Sequence, residues 1–113
     1  MVNRLRNDQI VRVSATEKKF GIKDMKIYAY MNDNEINIIG EIISDEILKD
    51  FSLTCTVYDQ DGDMIESLEN DTYGRYVVTN EIKKKVFFNG YPFKFSEYLD
   101  EGVKVSKIRI VPC

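Results

Sequence analysis

The stretch Phe51-Ser52-Leu53-Thr54-Cys55-Thr56-Val57-Tyr58-Asp59-Gln60-Asp61-Gly62 decides how this chain is read. Phe51, Leu53, Cys55 and Val57 alternate with Ser52, Thr54, Thr56 and Tyr58, the period of two that leaves one face of a strand in water. Asp59-Gln60-Asp61-Gly62 then supplies a turn, and Met64, Ile65 and Leu68 resume an apolar pattern beyond it. A strand, an Asp-Gly turn and a second strand predict a β-hairpin.

The same reading extends outward in both directions. Val11, Val13 and Ala15 share one phase, with Arg12 and Ser14 opposite. Ile27, Ala29 and Met31 share another, facing away from Lys26, Tyr28 and Tyr30. Asn32-Asp33-Asn34 follows as a turn, because Asn and Asp tolerate left-handed backbone and bond their own main chain. The isoleucine-rich run 35–43 places Ile36 and Ile38 on one phase and Ile39 and Ile43 on the other, which predicts a strand buried on both faces or bulged at Gly40. Residues 44–50 are the best place for a helical turn, with Ser44 as its cap. Past the hairpin, 70–74 reads as a loop and Tyr76-Val77-Val78 as a short strand. Asn89-Gly90-Tyr91-Pro92 is a turn between the segments 86–88 and 93–95. The phase switch from Val103 and Val105 to Ile108 and Ile110 predicts a bend near Ser106 and Lys107, and Pro112 ends the last strand. Short strands at turn-separated intervals predict an all-β fold: one domain over 1–113, an antiparallel immunoglobulin/fibronectin-like β-sandwich of about seven short strands.

Composition narrows the function. The chain has 113 residues, 43% of them apolar, with 16 Lys and Arg against 19 Asp and Glu, a net charge of −3. One core fits that length. The mild acidity argues against a nucleic-acid groove, which needs a concentrated basic stripe. The basic concentrations are Arg4 with Arg6, and Lys83-Lys84-Lys85, both read as solvated surface. No apolar run approaches the roughly 20 residues that a membrane-spanning helix needs, so no membrane insertion is expected. Cys55 falls on the apolar phase of its strand and is expected to be a buried thiol, unbridged to Cys113.

One segment carries a family resemblance. Ile38-Ile39-Gly40-Glu41-Ile42, the loop 44–50, the strand end Cys55-Thr56-Val57-Tyr58-Asp59 and Gly62 together resemble the FxLYD family of bacterial β-sandwich domains, mainly over 38–66. Tyr58 and Asp59 match the eponymous motif, whereas Cys55 and Val57 stand where it has Phe and Leu. Asn89-Gly90 followed by Pro92-Phe93 is similar to the late turn and strand entry of that family. The resemblance implies a noncatalytic accessory or binding domain, exported or lipid-anchored in most members. The chain is therefore expected to be cytoplasmic if complete, and extracytoplasmic if excised from a longer FxLYD-like protein.

Catalytic inventory is thin. Histidine is absent, which removes the commonest general base at neutral pH and the commonest transition-metal ligand. Two cysteines without histidine do not make a four-ligand zinc site. No phosphate-cradling glycine motif or nucleophile elbow is present. Asp59, Asp61 and Asp63 raise the question of calcium, but counting from Asp59 puts Gly62 fourth and Asn70 twelfth, where an EF-hand loop needs Gly sixth and Glu twelfth. No catalytic residue, metal or cofactor is assigned. Asn70-Asp71-Thr72 fits a glycosylation sequon and carries little weight.

What remains is aromatic surface. Tyr28, Tyr30, Tyr58, Tyr73 and Tyr76 are the candidate partner-binding residues, since Tyr offers a large apolar face at low entropic cost. Glu97, Asp100 and Glu101 form an acidic cluster near Tyr98 and Leu99, read as a solvated turn. The expected function is a noncatalytic module mediating protein–protein interaction. The alternatives are a carbohydrate- or small-ligand-binding sandwich using the same tyrosines, and a small acidic inhibitor or immunity-type protein.

Overall fold

The computed structural model describes residues 2–68 and 81–113. Eight strands are seen: β1 (Val2–Arg4), β2 (Ile10–Arg12), β3 (Asp24–Asn32), β4 (Glu35–Ile43), β5 (Leu53–Asp59), β6 (Met64–Leu68), β7 (Tyr91–Tyr98) and β8 (Val105–Pro112). They form two four-stranded sheets, ordered β1-β3-β4-β7 and β2-β8-β5-β6. All pairings are antiparallel except β2 with β8, which run parallel. The all-β expectation holds, and the fully antiparallel one gives way to a mixed second sheet. No helix among the described residues is long and apolar enough to cross a membrane.

The two sheets share one core. Phe51, Leu53, Cys55 and Val57 are all buried, as their alternation requires, beside Ile108 and Ile110 of β8. From the other sheet come Met25 and Ala29, Ile36, Ile38 and Ile42, and Phe93 and Phe95. Strand β4 does not bulge at Gly40. It pairs in continuous register with β3 and β7, and Ile39 on its other face is 43% exposed. Glycine is needed there for another reason: a Cβ would lie 2.3 Å from Phe93 Cζ and 2.6 Å from the Lys26 carbonyl oxygen. The Phe93 ring lies in the space that any side chain would occupy.

Several local expectations change. The strand read through Val13 and Ala15 stops at Arg12, and Ser14–Lys19 form a helix, α1. Its end is a glycine cap: Gly21 has φ 85°, its N–H donates to Lys18 O at 3.0 Å, and the Ile22 N–H donates to Glu17 O at 3.0 Å. The period-two pattern was too short to outweigh Ala15, Glu17, Lys18 and Lys19, all good helix formers except for their β-like spacing. Conversely, 44–50 is loop. The Ser44 hydroxyl lies 2.7 Å from Gly21 O and 2.8 Å from Glu46 O, and Leu48 N–H donates to Phe20 O. Those tertiary bonds draw the segment onto the end of α1 in place of a helical turn. Residues 86–88 are not a strand: a 3-10 turn covers Lys84–Val86, and Asn89-Gly90 leads directly into β7. The readings at 70–74 and 76–78, and the sequon, lie outside the described residues.

Polar side chains hold the crossings between sheets. The chain leaves β1, buries Leu5, and enters β2 through a 3-10 turn at Asn7–Gln9. Gln9 Oε1 accepts the Arg6 N–H, and its amide donates to Ser106 O at 3.0 Å. Ser106 is the bend expected from the phase switch: the β5–β8 register shifts between Tyr58 and Asp59, and the Ser106 hydroxyl donates to Asp59 O. Pro112 sits in the pair with Leu53, and Cys113 then exchanges two hydrogen bonds with Ser52. The missing proline donor therefore points away from β5, and the ladder continues one pair beyond it.

Arg12 ties β2, α1 and β3 together. Its guanidinium donates to both oxygens of Glu17 (2.6 and 2.9 Å), to Asp24 Oδ1 and to Met25 O. Glu17 is 3% exposed, so this fork neutralises a carboxylate that has lost its water.

Two outcomes are expected. Gly40→Ala should lose about 1–3 kcal/mol in denaturant unfolding, because Phe93 and a backbone carbonyl both obstruct the added methyl; an unchanged midpoint would contradict the packing. Arg12, with the Met25 N–H, holds the Asp24 carboxyl below the usual carboxylate range. The folded state then binds a proton there less readily than the unfolded one. That stability is complete above the ordinary carboxylate range and is lost as pH falls through the depressed folded value. Asp24→Asn should therefore flatten the acid limb of the stability profile, and a limb superimposable on the wild type would count against the clamp.

Candidate functional site

Register builds the candidate site on the outer face of β1-β3-β4-β7. Alternation sends Met25, Ile27, Ala29 and Met31 inward, so Lys26, Tyr28, Tyr30 and Asn32 point out. Cross-strand partners set four rows: Lys26 with Glu41 and Pro92; Tyr28 with Ile39 and Lys94; Arg4 with Tyr30, Asn37 and Ser96; Val2 with Asn32, Glu35 and Tyr98. Val2, Tyr28, Ile39 and Tyr98 are half of the eight exposed large apolar residues among those described. Four on one sheet face is a concentration, where scattered single residues would need no explanation.

The aromatic pair is preorganised. The Tyr28 and Tyr30 rings meet edge to face at 5.9 Å between centroids. The Arg4 guanidinium lies over Tyr28, 4.3 Å from its centroid, a cation–π contact that fixes both groups. Polar atoms on the same face are engaged with each other. Asn37 Nδ2 donates to Glu35 Oε1 at 3.1 Å, and the Ser96 hydroxyl lies 3.1 Å from Asn37 Oδ1.

Beside this face, at the start of β7, Tyr91 stacks with Phe87 at 5.7 Å and tilts against Phe88 at 5.0 Å. Tyr28, Ile39, Lys94, Phe88, Tyr91 and Pro92 are among the described residues lining an open groove of about 990 Å³.

Of the three candidate tyrosines among the described residues, the structure brings two together. Tyr28 and Tyr30 are adjacent. Tyr58 lies on the outward phase of β5, in the other sheet, with Lys107 Nζ 5.0 Å from its ring centroid. The whole core separates it from the first pair. Tyr73 and Tyr76 lie outside the described residues. Arg4 was read only as solvated basic surface and Val2 was not singled out, because a three-residue strand has no periodicity to read. Ile39 was visible as an isoleucine out of phase with Ile36 and Ile38, but burial on both faces accounted for it equally well.

The other clusters singled out from sequence are accounted for, among the described residues, by turns and burial. Asp59, Asp61 and Asp63 each offer an oxygen within 4.8 Å of the others. Asp59 Oδ1, however, accepts the backbone N–H groups of Asp61 and Asp63, both at 2.9 Å. That is the bonding of a tight Asx turn, completed by Gly62 at φ 85°. The acidic cluster near Leu99 is divided: Glu97 faces inward and is 8% exposed, whereas Asp100 and Glu101 face solvent. Cys55 and Cys113 are both free, and burial pushes the Cys55 thiol far above its ordinary range.

A thiol reagent should therefore modify Cys113 alone in the folded protein and both cysteines after denaturation. Labelling of Cys55 under native conditions, read by mass spectrometry, would contradict its placement. No family model, curated protein or solved structure matches the chain.

Proposed function

We propose that this chain is a noncatalytic β-sandwich module that binds a protein partner through the outer face of β1-β3-β4-β7. The observation that carries the reading is the Arg4–Tyr28–Tyr30 cluster beside exposed Ile39. Tyr and Arg are the residues most often found where a protein contact concentrates its free energy. Rings already held by each other and by a guanidinium lose little further freedom on binding. The absence of histidine supports a noncatalytic reading.

The proposed architecture is immunoglobulin/fibronectin-like. Two four-stranded sheets over one core support it, as does a first strand segment divided between them, with β1 in one sheet and β2 in the other. The direct β3–β4 hairpin within one sheet departs from the antibody-type strand order. The resemblance to FxLYD domains is in keeping with the places of the matching Gly40, beneath Phe93, and Asp59, in the turn, and with the burial of Cys55 and Val57, which stand where that family has Phe and Leu.

The groove beside Tyr28 and Tyr91 favours a second reading, a glycan or other small ligand. The Arg4 guanidinium already covers one face of Tyr28, which leaves less ring for sugar stacking. An inhibitor or immunity-type protein would need a continuous acidic face, and Lys26 and Lys94 interleave with Glu41 and Glu35 on this one.

A crosslinking pull-down from the native source tests the first reading. A specific protein should be captured by the wild type and by Tyr58→Ala, and lost from Tyr28→Ala/Tyr30→Ala with the fold unchanged by circular dichroism. Equal capture by all three baits would remove the assigned face. A thermal shift with one member of a glycan panel, in place of any captured protein, would favour the ligand reading.

A further inference from the structure

We propose that one end of the sandwich, formed by α1 and the segments 44–52 and 81–90, docks on the surface of an anionic lipid bilayer. The proposal goes beyond the partner-binding face, which lies on the flank of the same sandwich. Strand direction gathers this end. β3 begins at Asp24 opposite Ile43, where β4 stops, and β7 begins at Tyr91 opposite Ile42. β5 begins at Leu53 opposite Pro112, and β2 runs parallel to β8 toward the same end before α1 begins. The connecting segments are then bonded to one another. Lys84 N–H donates to Asp50 Oδ1 at 2.7 Å, and Phe51 and Ile82 exchange two backbone bonds. Asn89 Oδ1 accepts the Ser44 N–H at 3.2 Å, and Leu48 N–H reaches Phe20 O at the close of α1.

Two kinds of side chain stand exposed there. Leu48, Val86 and Phe88 are each more than half exposed, three of the eight exposed large apolar residues among those described. Lys18, Lys19, Lys49, Lys83, Lys84 and Lys85 are exposed with them, and none forms an ion pair with another described residue. Lys23 and Asp45 occupy each other. The six uncommitted lysines outnumber Glu46, Asp50 and Glu81 two to one. In a chain of net charge −3, that surplus is local. The loops at the opposite end, 33–34, 60–63 and 99–104, carry Asp33, Asp61, Asp63, Asp100 and Glu101 against Lys104. The sandwich is therefore basic at one end of its strands and acidic at the other. Such a polarity turns the basic end toward a negative surface during approach.

The order of the exposed groups matches a bilayer surface. Lys49 follows Leu48, and Lys83-Lys84-Lys85 lead directly into Val86 and Phe88. In a bilayer the anionic headgroups likewise lie against an apolar layer. Apolar tips enter the headgroup boundary while the ammonium groups stay with the phosphates. A polyanion without that layer, such as nucleic acid, would engage the lysines and leave Leu48 and Val86 in water. The contact is peripheral: the chain rests on the surface, and no helix among the described residues is long and apolar enough to cross it. Each lysine held near such a surface strengthens binding about fivefold, and salt weakens every one of these contacts. A reversible, salt-sensitive attachment is the expected behaviour.

Flotation of the full chain with lipid vesicles tests this. The chain should float with vesicles of phosphatidylcholine and phosphatidylserine, remain behind with phosphatidylcholine alone, and be released by salt. Lys83→Gln/Lys84→Gln/Lys85→Gln should weaken the attachment about thirtyfold or more. Val86→Ser/Phe88→Ser, which keeps every lysine, should weaken it about fivefold or more. Both variants change exposed side chains, and circular dichroism checks that the fold is kept. Tyr28→Ala/Tyr30→Ala, on the flank, should float as the wild type does.

A wild type that does not float with the phosphatidylserine vesicles overturns the proposal, as does equal flotation with both kinds of vesicle. Flotation indifferent to the lysine variant overturns it as well. Attachment lost with the lysines but untouched by Val86→Ser/Phe88→Ser, with equal binding to a labelled oligonucleotide, makes the end a general polyanion site and overturns the lipid reading. Loss of flotation in Tyr28→Ala/Tyr30→Ala moves the contact to the sheet face and overturns its placement here.

Discussion

The structure depends on one packing constraint at the middle of β4. Ile36, Ile38 and Ile42 project from that strand into the space between the sheets and are fully buried. Each such side chain contributes about 1.5–3 kcal/mol by leaving water. The strand is also hydrogen-bonded on both sides, to β3 and to β7, so it cannot shift to relieve a clash. Gly40 is therefore the point where Phe93 gains its place in the core. A bulge there would have broken both ladders at once, whereas a missing side chain breaks neither.

Around that centre, the crossings between sheets are controlled by polar groups. Gln9 joins the β1–β2 turn to the β8 bend, Ser106 secures that bend to β5, and Ser44 fastens the β4–β5 loop to the end of α1. Arg12 does the same for β2, α1 and β3. Each of these side chains makes at least one part-buried bond to a backbone carbonyl or carboxylate. An unsatisfied group of that kind costs about 1–3 kcal/mol, so these few residues determine where the chain can change sheet.

The outer face of β1-β3-β4-β7 is a by-product of the same alternation with its own chemistry. Sending Met25 and Ala29 inward obliges Tyr28 and Tyr30 to face out, and burying Ile38 obliges Ile39 to do so. The exposed apolar side chains are then ordered by the register of the core. That links the packing of the interior to the proposed partner-binding face, because the rows that would meet a partner are the rows that the buried residues align.

Strand periodicity was legible wherever one face is buried and the segment is long enough to count. Phe51 to Val57, Ile27 to Met31, the Asp59–Gly62 turn, and the bend at Ser106 all follow from local spacing, as does the buried state of Cys55. The short elements were not legible. Three residues of β1 or β2 carry no period, and α1 begins within an apparent alternation that ends at Gly21. Residues 44–50 have helix-like composition, yet they bond to distant groups. Membership of a face was half legible: Tyr28 and Tyr30 lie together because they are two apart on one strand. Only the tertiary structure sent Tyr58 to the opposite side of the molecule, brought Arg4 over Tyr28 and exposed Ile39, because sheet membership depends on long-range pairing that no local spacing encodes.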